Sequence, residues 1–390
     1  MKLHRKTIIL NTILVLALLA LAVGVVFFFH RLRYSGPNLT EVFVSAIDEQ
    51  PITCFQLPQI QDLYDITPPP KGHYRSYNPC VFDMPSSITK YHELIDLNKK
   101  ELNHWCVYRL SNFTTCKGAM PQLWYRQKGN VLNSTFIRAP SGALFQIDYP
   151  HQAGPTCPQG IEDMRAIVNK NSLFLIGNEA SGSACRRRMV MFEMPLDKLQ
   201  VKGKHAKPHL LSLVDRFKLE AEFGHERDQK NWMPFLVDHE LHFVYSINPH
   251  VILKWQKDGP CVKVAETKNK KLPDNLRGGS QVIEVRKSHS NLPAEDLYLA
   301  VVHTRDRVHE YSTYFYAFER KYPYAVKHIT KGFVIDQNKS KTKRIQFAAG
   351  LARSLRQDSH YLEVSYGEHD CTSNMFVIKE EDVLRSLQSV

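Results

Sequence analysis

Gly160-Ile161-Glu162-Asp163-Met164-Arg165-Ala166-Ile167, followed by Leu173-Phe174-Leu175-Ile176-Gly177-Asn178, is the stretch whose reading decides the fold. It is a two-part unit. A polar, glycine-led start runs into a short apolar strand. A second, strongly hydrophobic strand follows and ends on a polar residue. Both parts are short, rich in β-branched or aromatic residues and bounded by turn formers, which are the marks of strands. The unit recurs. Its other starts are Asn78-Pro79-Cys80-Val81, Asn231-Trp232-Met233-Pro234-Phe235, Gly279-Ser280-Gln281-Val282-Ile283 and Phe347-Ala348-Ala349-Gly350-Leu351. The matching second strands are residues 105–109, 241–246, 297–303 and 361–366. A further strand usually follows, as at 189–194, 251–255 and 313–318. Five such units predict an all-β chain, a five-bladed β-propeller, with a pair of β-sandwiches as the competing reading. Beyond residue 30 no long amphipathic pattern appears. Glu380 to Leu387 reads as a short closing helix.

The chain has 390 residues, 43% of them hydrophobic and 23% charged, which are ordinary globular values. Its 17 Tyr and 20 Phe favour strands over helices. The net charge is +12. The basic residues stand in short runs: Arg186 to Arg188, Lys268 to Lys271 around Asn269, and Lys339 to Arg344. None alternates with aromatics as a nucleic-acid groove requires, so nucleic acid is excluded as a partner. A polyanionic or phosphorylated substrate fits the charge.

Residues 7–29 form an apolar run of 23 residues without a single charge. At about 1.5 Å per residue it spans a hydrocarbon core of about 30 Å. It is longer than the apolar core of a cleaved signal peptide, and Phe27-Phe28-Phe29 offers no small residue for cleavage. Basic residues flank both ends, Lys2, Arg5 and Lys6 before and Arg31 and Arg33 after. Size therefore sets the expected topology. Residues 1–6 form a cytoplasmic tail, 7–29 a signal anchor, 30–70 a stem ending in Pro68-Pro69-Pro70, and 71–390 a lumenal domain. Sequons at Asn38, Asn112, Asn133 and Asn338 and eight cysteines outside the apolar run point the same way. The even count suggests disulfides of open connectivity. A type II protein of the Golgi, or else of the ER or cell surface, is expected. No CxxC, Cys/His or DxD spacing is present, so neither a metal nor a cofactor is expected.

In a propeller the polar starts of the inner strands converge, which makes them candidates for a site. Glu162, Asp163 and Arg165 lead. In regular extended chain Asp163 and Arg165 point to one face and Glu162 to the other. A carboxylate beside an arginine stays ionised, while desolvation pushes it toward the acid form. Lys230 and His250 are donors suited to a phosphate or a sugar hydroxyl. Asn231 accompanies them, and Trp232 is either a sugar-stacking ring or a core aromatic. Arg277-Gly278-Gly279, His303 and Tyr366-Gly367-Glu368-His369-Asp370 complete the set. The glycine pair serves either close backbone approach to a ligand or a tight turn.

These motifs, in this order, resemble those of the mannoside phosphorylases and their mannosyltransferase relatives, which are five-bladed propellers. The match runs from Asn78 to Leu387. Gly160 to Arg165 resembles the family's G-[IV]-E-D-P-R, Gln229 to Phe235 its E-K-N-W, and Tyr366 to Asp370 its terminal Y-G-x-x-D. Asn78 and Arg109 match its first-blade pattern. The resemblance implies inverting chemistry on mannosides, with phosphate or a sugar phosphate as reactant. Asp163 becomes the general acid or base, Arg165, Lys230 and His250 contact the anion, and Asn78 lines the sugar site. Met164 and Gln229 depart from the family pattern, and they and the anchor argue against phosphorolysis more than against sugar binding. The leading expectation is a lumenal hexosyltransferase, mannose being the favoured sugar, using a nucleotide sugar or sugar phosphate. A hydrolase or phosphorylase of the same fold, with a second carboxylate from Glu368 or Asp370, and a non-catalytic carbohydrate-binding propeller are the alternatives.

Overall fold

In the computed structural model the described residues are 52–53, 75–85, 88, 105–111, 133–139, 144–148, 160–181, 184–200, 209–212, 215–224, 228–273, 275–286, 296–306, 310–335, 345–353, 360–368 and 372–390. Residues 7–29, Asn38, Asn112, Asn338, Asp370 and the Glu368 side chain fall outside that description. Among the described residues no helix is long and apolar enough to cross a membrane.

The first strand, β1 (Ile52–Thr53), joins the edge of the last sheet. The first sheet follows as β2 (Arg75–Phe82), β3 (Trp105–Ser111), β4 (Asn133–Arg138) and β5 (Leu144–Asp148). The second begins with β6 (Ile161–Asn169), β7 (Ser172–Ser181) and β8 (Arg186–Pro195). The chain then runs back through β9 (His209–Ser212), parallel to β5, before β10 (Asp215–Leu219) completes the second sheet. The third is β11 (Met233–Val237), β12 (Glu240–Ile247), β13 (His250–Lys254) and β14 (Val262–Thr267). The fourth holds β15 (Arg277–Gly278), β16 (Ile283–Glu284), β17 (Leu297–Arg305), β18 (Tyr311–Glu319) and β19 (Val326–Ile329). The fifth is β20 (Gln346–Arg353), β21 (Tyr361–Glu368) and β22 (Thr372–Lys379). A short helix, α1 (Glu380–Ser386), and β23 (Gln388–Ser389) end the chain, β23 returning to β19.

Packing explains why the second strands are so apolar. Alternate side chains of β7 leave by opposite faces, and both faces are buried. Leu173 and Leu175 pack toward the first sheet with Cys80, Trp105 and Phe145. Phe174 and Ile176 pack toward the third with Trp232, Leu241 and Phe243. Further layers join the third sheet to the fourth around Phe235, Val244, Tyr298 and Phe318, and the fourth to the fifth around Phe315, Leu351, Leu362 and Val364. The result is a propeller-like arrangement in which each sheet covers the next.

Polar contacts at the inner strands close it. The Ser365 hydroxyl donates to the Pro79 carbonyl at 2.7 Å and accepts from the Val81 amide at 3.0 Å, tying the fifth sheet to the first. Gln281, buried and from the fourth sheet, donates to Val81 O at 2.7 Å and Leu351 O at 2.8 Å. A Gln281→Leu protein keeps the volume and loses both donors. Each interior carbonyl left unpaired costs about 1–3 kcal/mol. The urea midpoint should fall accordingly, and a midpoint unchanged within error would show that Gln281 does not hold the sheets together.

The cysteines depart from a fully paired framework. Cys185 is disulfide-bonded. Cys80, Cys106 and Cys261 are buried thiols, enclosed by the sheet layers.

Candidate active site

Asn78, Asp163 and Asn231 share one feature, a left-handed backbone, with φ of 49°, 52° and 62°. Asn and Asp tolerate this region better than most residues. In β2 and β6 the turn produces a bulge, between Tyr77 and Cys80 and between Glu162 and Arg165. A bulge re-aims side chains and breaks strict alternation. The expected separation of Glu162 from Asp163 is therefore overturned, since Arg109 on β3 serves both. It pairs with Glu162 through Nη1 at 3.1 Å and acts electrostatically on Asp163.

The carboxyl of Asp163 is half-buried, and the Asn78 amide donates to its Oδ1 at 2.7 Å. Burial alone would raise its pKa. Arg109, Arg165, the Asn78 hydrogen bond and Lys230 together outweigh burial and hold it below the ordinary carboxylate value. Asp163 is thus an ionised base in the free protein. Asn78 is itself fixed by close approach of the fifth sheet. A Cβ on Gly367 would lie 2.0 Å from Asn78 Oδ1, so only glycine fits there.

Arg165 is fully buried and committed to protein acceptors. Nε donates to Gly279 O at 2.7 Å, Nη1 to the Asp163 carbonyl, and Nη2 to Asn231 Oδ1 at 3.4 Å. The guanidinium lies 5.4 Å from the centre of the Phe347 ring. It joins the second sheet to the third, fourth and fifth and supplies a fixed positive charge. The expectation that it grips an anion directly is replaced by this bracing role, since each nitrogen already has a protein acceptor. Gly278 and Gly279 serve close packing of strands. A Cβ on Gly278 would lie 2.1 Å from the Asn231 carbonyl.

Lys230 is exposed beside this cluster. Arg277 is exposed and pairs in register with His303. His303 is buried, stacked on Tyr311 at 5.1 Å and edge-on to Phe347 at 5.2 Å. Desolvation first, then the positive Arg277, Arg165 and Lys230, push its pKa down to about 3. It therefore sits at the cluster as a neutral imidazole.

Other expected residues lie elsewhere. Trp232 is 1% exposed and packs against Tyr245 and Phe243 at 5.4 and 5.6 Å, so it is a core ring. His250 faces Phe318 at 4.9 Å and Tyr316 at 6.0 Å, and its Nδ1 bonds the Tyr324 carbonyl at 2.8 Å. It sits one strand out from β12, inside the layer between the third and fourth sheets, which removes it from the anion. Tyr366 is buried in the layer between the fourth and fifth sheets. Phe347 and Arg187 were not singled out from sequence as site residues. Arg187 lies in a basic run whose local signal is only charge, and Phe347 reads as an ordinary core ring.

Burial of the two histidines has a pH signature. Desolvation lowers the pKa of His250 from 6.5 to about 4, with His303 lower still. Between the unfolded and folded values the unfolded chain binds more protons. The stability these two groups contribute is therefore complete above about pH 6.5 and is lost as pH falls through that window. For His250 alone the loss is on the order of 3 kcal/mol by about pH 4. Thermal melts between neutral pH and about pH 5 should show a falling midpoint. A midpoint that holds or rises would contradict neutral buried imidazoles.

The fold and site define a propeller-like β protein with an ionised aspartate set among fixed cations. No protein-family model matches the sequence, and no curated protein matches it. Solved structures do. A glycosyl hydrolase from Bacteroides ovatus aligns with a TM-score of 0.50 at 10% identity, over 79% of this chain and 84% of that one. A β-1,2-mannobiose phosphorylase from Listeria innocua, in complex with β-1,2-mannobiose, gives 0.49 at 12% identity over 83% and 95%. A GDP-Man-dependent mannosyltransferase from Leishmania mexicana gives 0.44 at 11% identity over 80% and 87%. At such identities the likeness is one of fold, and it rests on the glycosyl hydrolase.

Proposed function

We propose that this chain is a carbohydrate-active enzyme whose five sheets are the five blades of a propeller. It transfers a hexose, with mannose favoured by the motif resemblance, from a nucleotide sugar or sugar phosphate to a glycan acceptor. The observation that carries this reading is Asp163, a half-buried carboxylate kept ionised by Arg109, Arg165, Asn78 and Lys230. A proton acceptor beside fixed cations suits transfer. Asp163 takes the proton of the acceptor hydroxyl as that oxygen bonds to the anomeric carbon and the bond from this carbon to phosphate breaks. Arg109 and Lys230 stabilise the charge that gathers on the departing phosphate. The reverse reaction, phosphorolysis, uses the same groups but starts from protonated Asp163, which returns its proton to the glycosidic oxygen. Hydrolysis led by a general acid would instead require a raised carboxyl pKa.

The glycosyl-hydrolase fold agrees with sugar chemistry. The apolar run at 7–29 and the sequons support a tethered, lumenal, Golgi-type setting for that chemistry. To test the reading, the full chain in detergent is incubated with nucleotide sugars, sugar 1-phosphates and mannosides. Transfer to an acceptor is the expected result. Release of free sugar alone would point to hydrolysis, and binding without turnover to a lectin.

A further inference from the structure

The proposed chemistry gives Glu162 no part, yet its carboxylate takes up two guanidinium groups. Oε1 lies 3.1 Å from Arg109 Nη1 and Oε2 lies 3.0 Å from Arg187 Nη2. The three side chains are only 14%, 6% and 20% exposed, so solvent screens these pairs little. Arg187 comes from β8. Its carbonyl accepts the Gln229 amide at 2.9 Å, which sets Lys230 beside the same corner. Nη1 of Arg187 is buried and has no hydrogen-bond partner among the described residues. A carboxylate held between two guanidiniums, with a further buried donor and a lysine close by, is the arrangement of a bound anion.

We propose that Glu162 is a resident counter-anion, and that a phosphate-bearing ligand binds by displacing it from Arg109 and Arg187. The inference rests on reading this corner as the phosphate side of the site. A phosphate group brings more charge and more acceptor oxygens than a carboxylate, so it can outcompete one. Displacement still has a cost, because Glu162 must be moved out of two ion pairs. Inorganic phosphate meets that cost from its own contacts alone. A sugar phosphate meets it from sugar and phosphate contacts together. Glu162 therefore weakens both by the same factor, and the consequence is that tight binding is reserved for ligands that add sugar contacts to the phosphate. The bulge at Asp163 is what makes this geometry available, because it turns both neighbouring carboxylates toward Arg109.

The test is calorimetric titration of inorganic phosphate into the full chain, which needs no turnover. Glu162→Gln keeps the shape and removes the charge. It should bind phosphate at least about tenfold more tightly than the wild type. Glu162→Asp keeps the charge but cannot reach both guanidiniums, and should fall between the two. Adding Arg187→Gln to the Glu162→Gln protein should take the gain away. Equal or weaker binding by both Glu162 variants, with wild-type binding intact, would make Glu162 a mere brace for the arginines and overturn the proposal. Phosphate binding by neither wild type nor Glu162→Gln would overturn the phosphate-side reading along with it.

Discussion

Asp163→Asn should yield a folded protein whose turnover has dropped by about 10²–10⁴, the usual worth of a positioned general base. The side chain keeps its size and still meets the Asn78 amide that donates to Oδ1 at 2.7 Å. What it loses is the negative charge and the capacity to take a proton. The fall should therefore lie in kcat, with KM little changed, because sugar and phosphate contacts remain. Initial rates at saturating donor, with a melting curve as control, decide the matter. Full activity in Asp163→Asn would remove Asp163 from the chemistry.

The second large effect concerns the fold around that base. Arg165→Met should destabilise the protein by about 3–5 kcal/mol, the range for breaking a buried charge pair from one side. Three acceptors lose their donor at once, on Gly279, Asp163 and Asn231. The half-buried Asp163 carboxylate also loses one of its cations. Arg165→Lys should recover little, since a single ammonium cannot reach acceptors arranged around a planar fork. Chemical denaturation measures both. A Lys variant as stable as the wild type would mean that charge alone matters at this position.

The strands were legible for a physical reason. Residues 173–176 and 297–302 are buried on both faces, so their sequence is continuously apolar and stands out without any alignment. The polar starts were legible too, because Asn78, Asp163 and Asn231 carry the residue types that a left-handed turn accepts. The consequence of that turn was not. Counting faces along a regular strand puts Glu162 opposite Asp163, and the bulge undoes the count. Long-range burial was equally hidden. Nothing local distinguishes His250, enclosed by Tyr316, Phe318 and the Tyr324 carbonyl, from a histidine at a site. Gln281 reads as one more polar residue until the first and fifth sheets arrive on either side of it.

The proposed function turns on Asp163 as an ionised base set among cations. The pH dependence of kcat/KM in the wild-type protein tests it most directly, with Asp163→Asn alongside. Because the pKa of Asp163 is held below the ordinary carboxylate value, the acid limb belongs below the ordinary carboxylate range. No carboxylate-dependent loss of kcat/KM is expected from about pH 7 down to about pH 5, with a melting curve at each pH to separate chemistry from unfolding. A kcat/KM that climbs as pH falls through that range, and loses the climb in Asp163→Asn, would show that Asp163 acts protonated and not as a base.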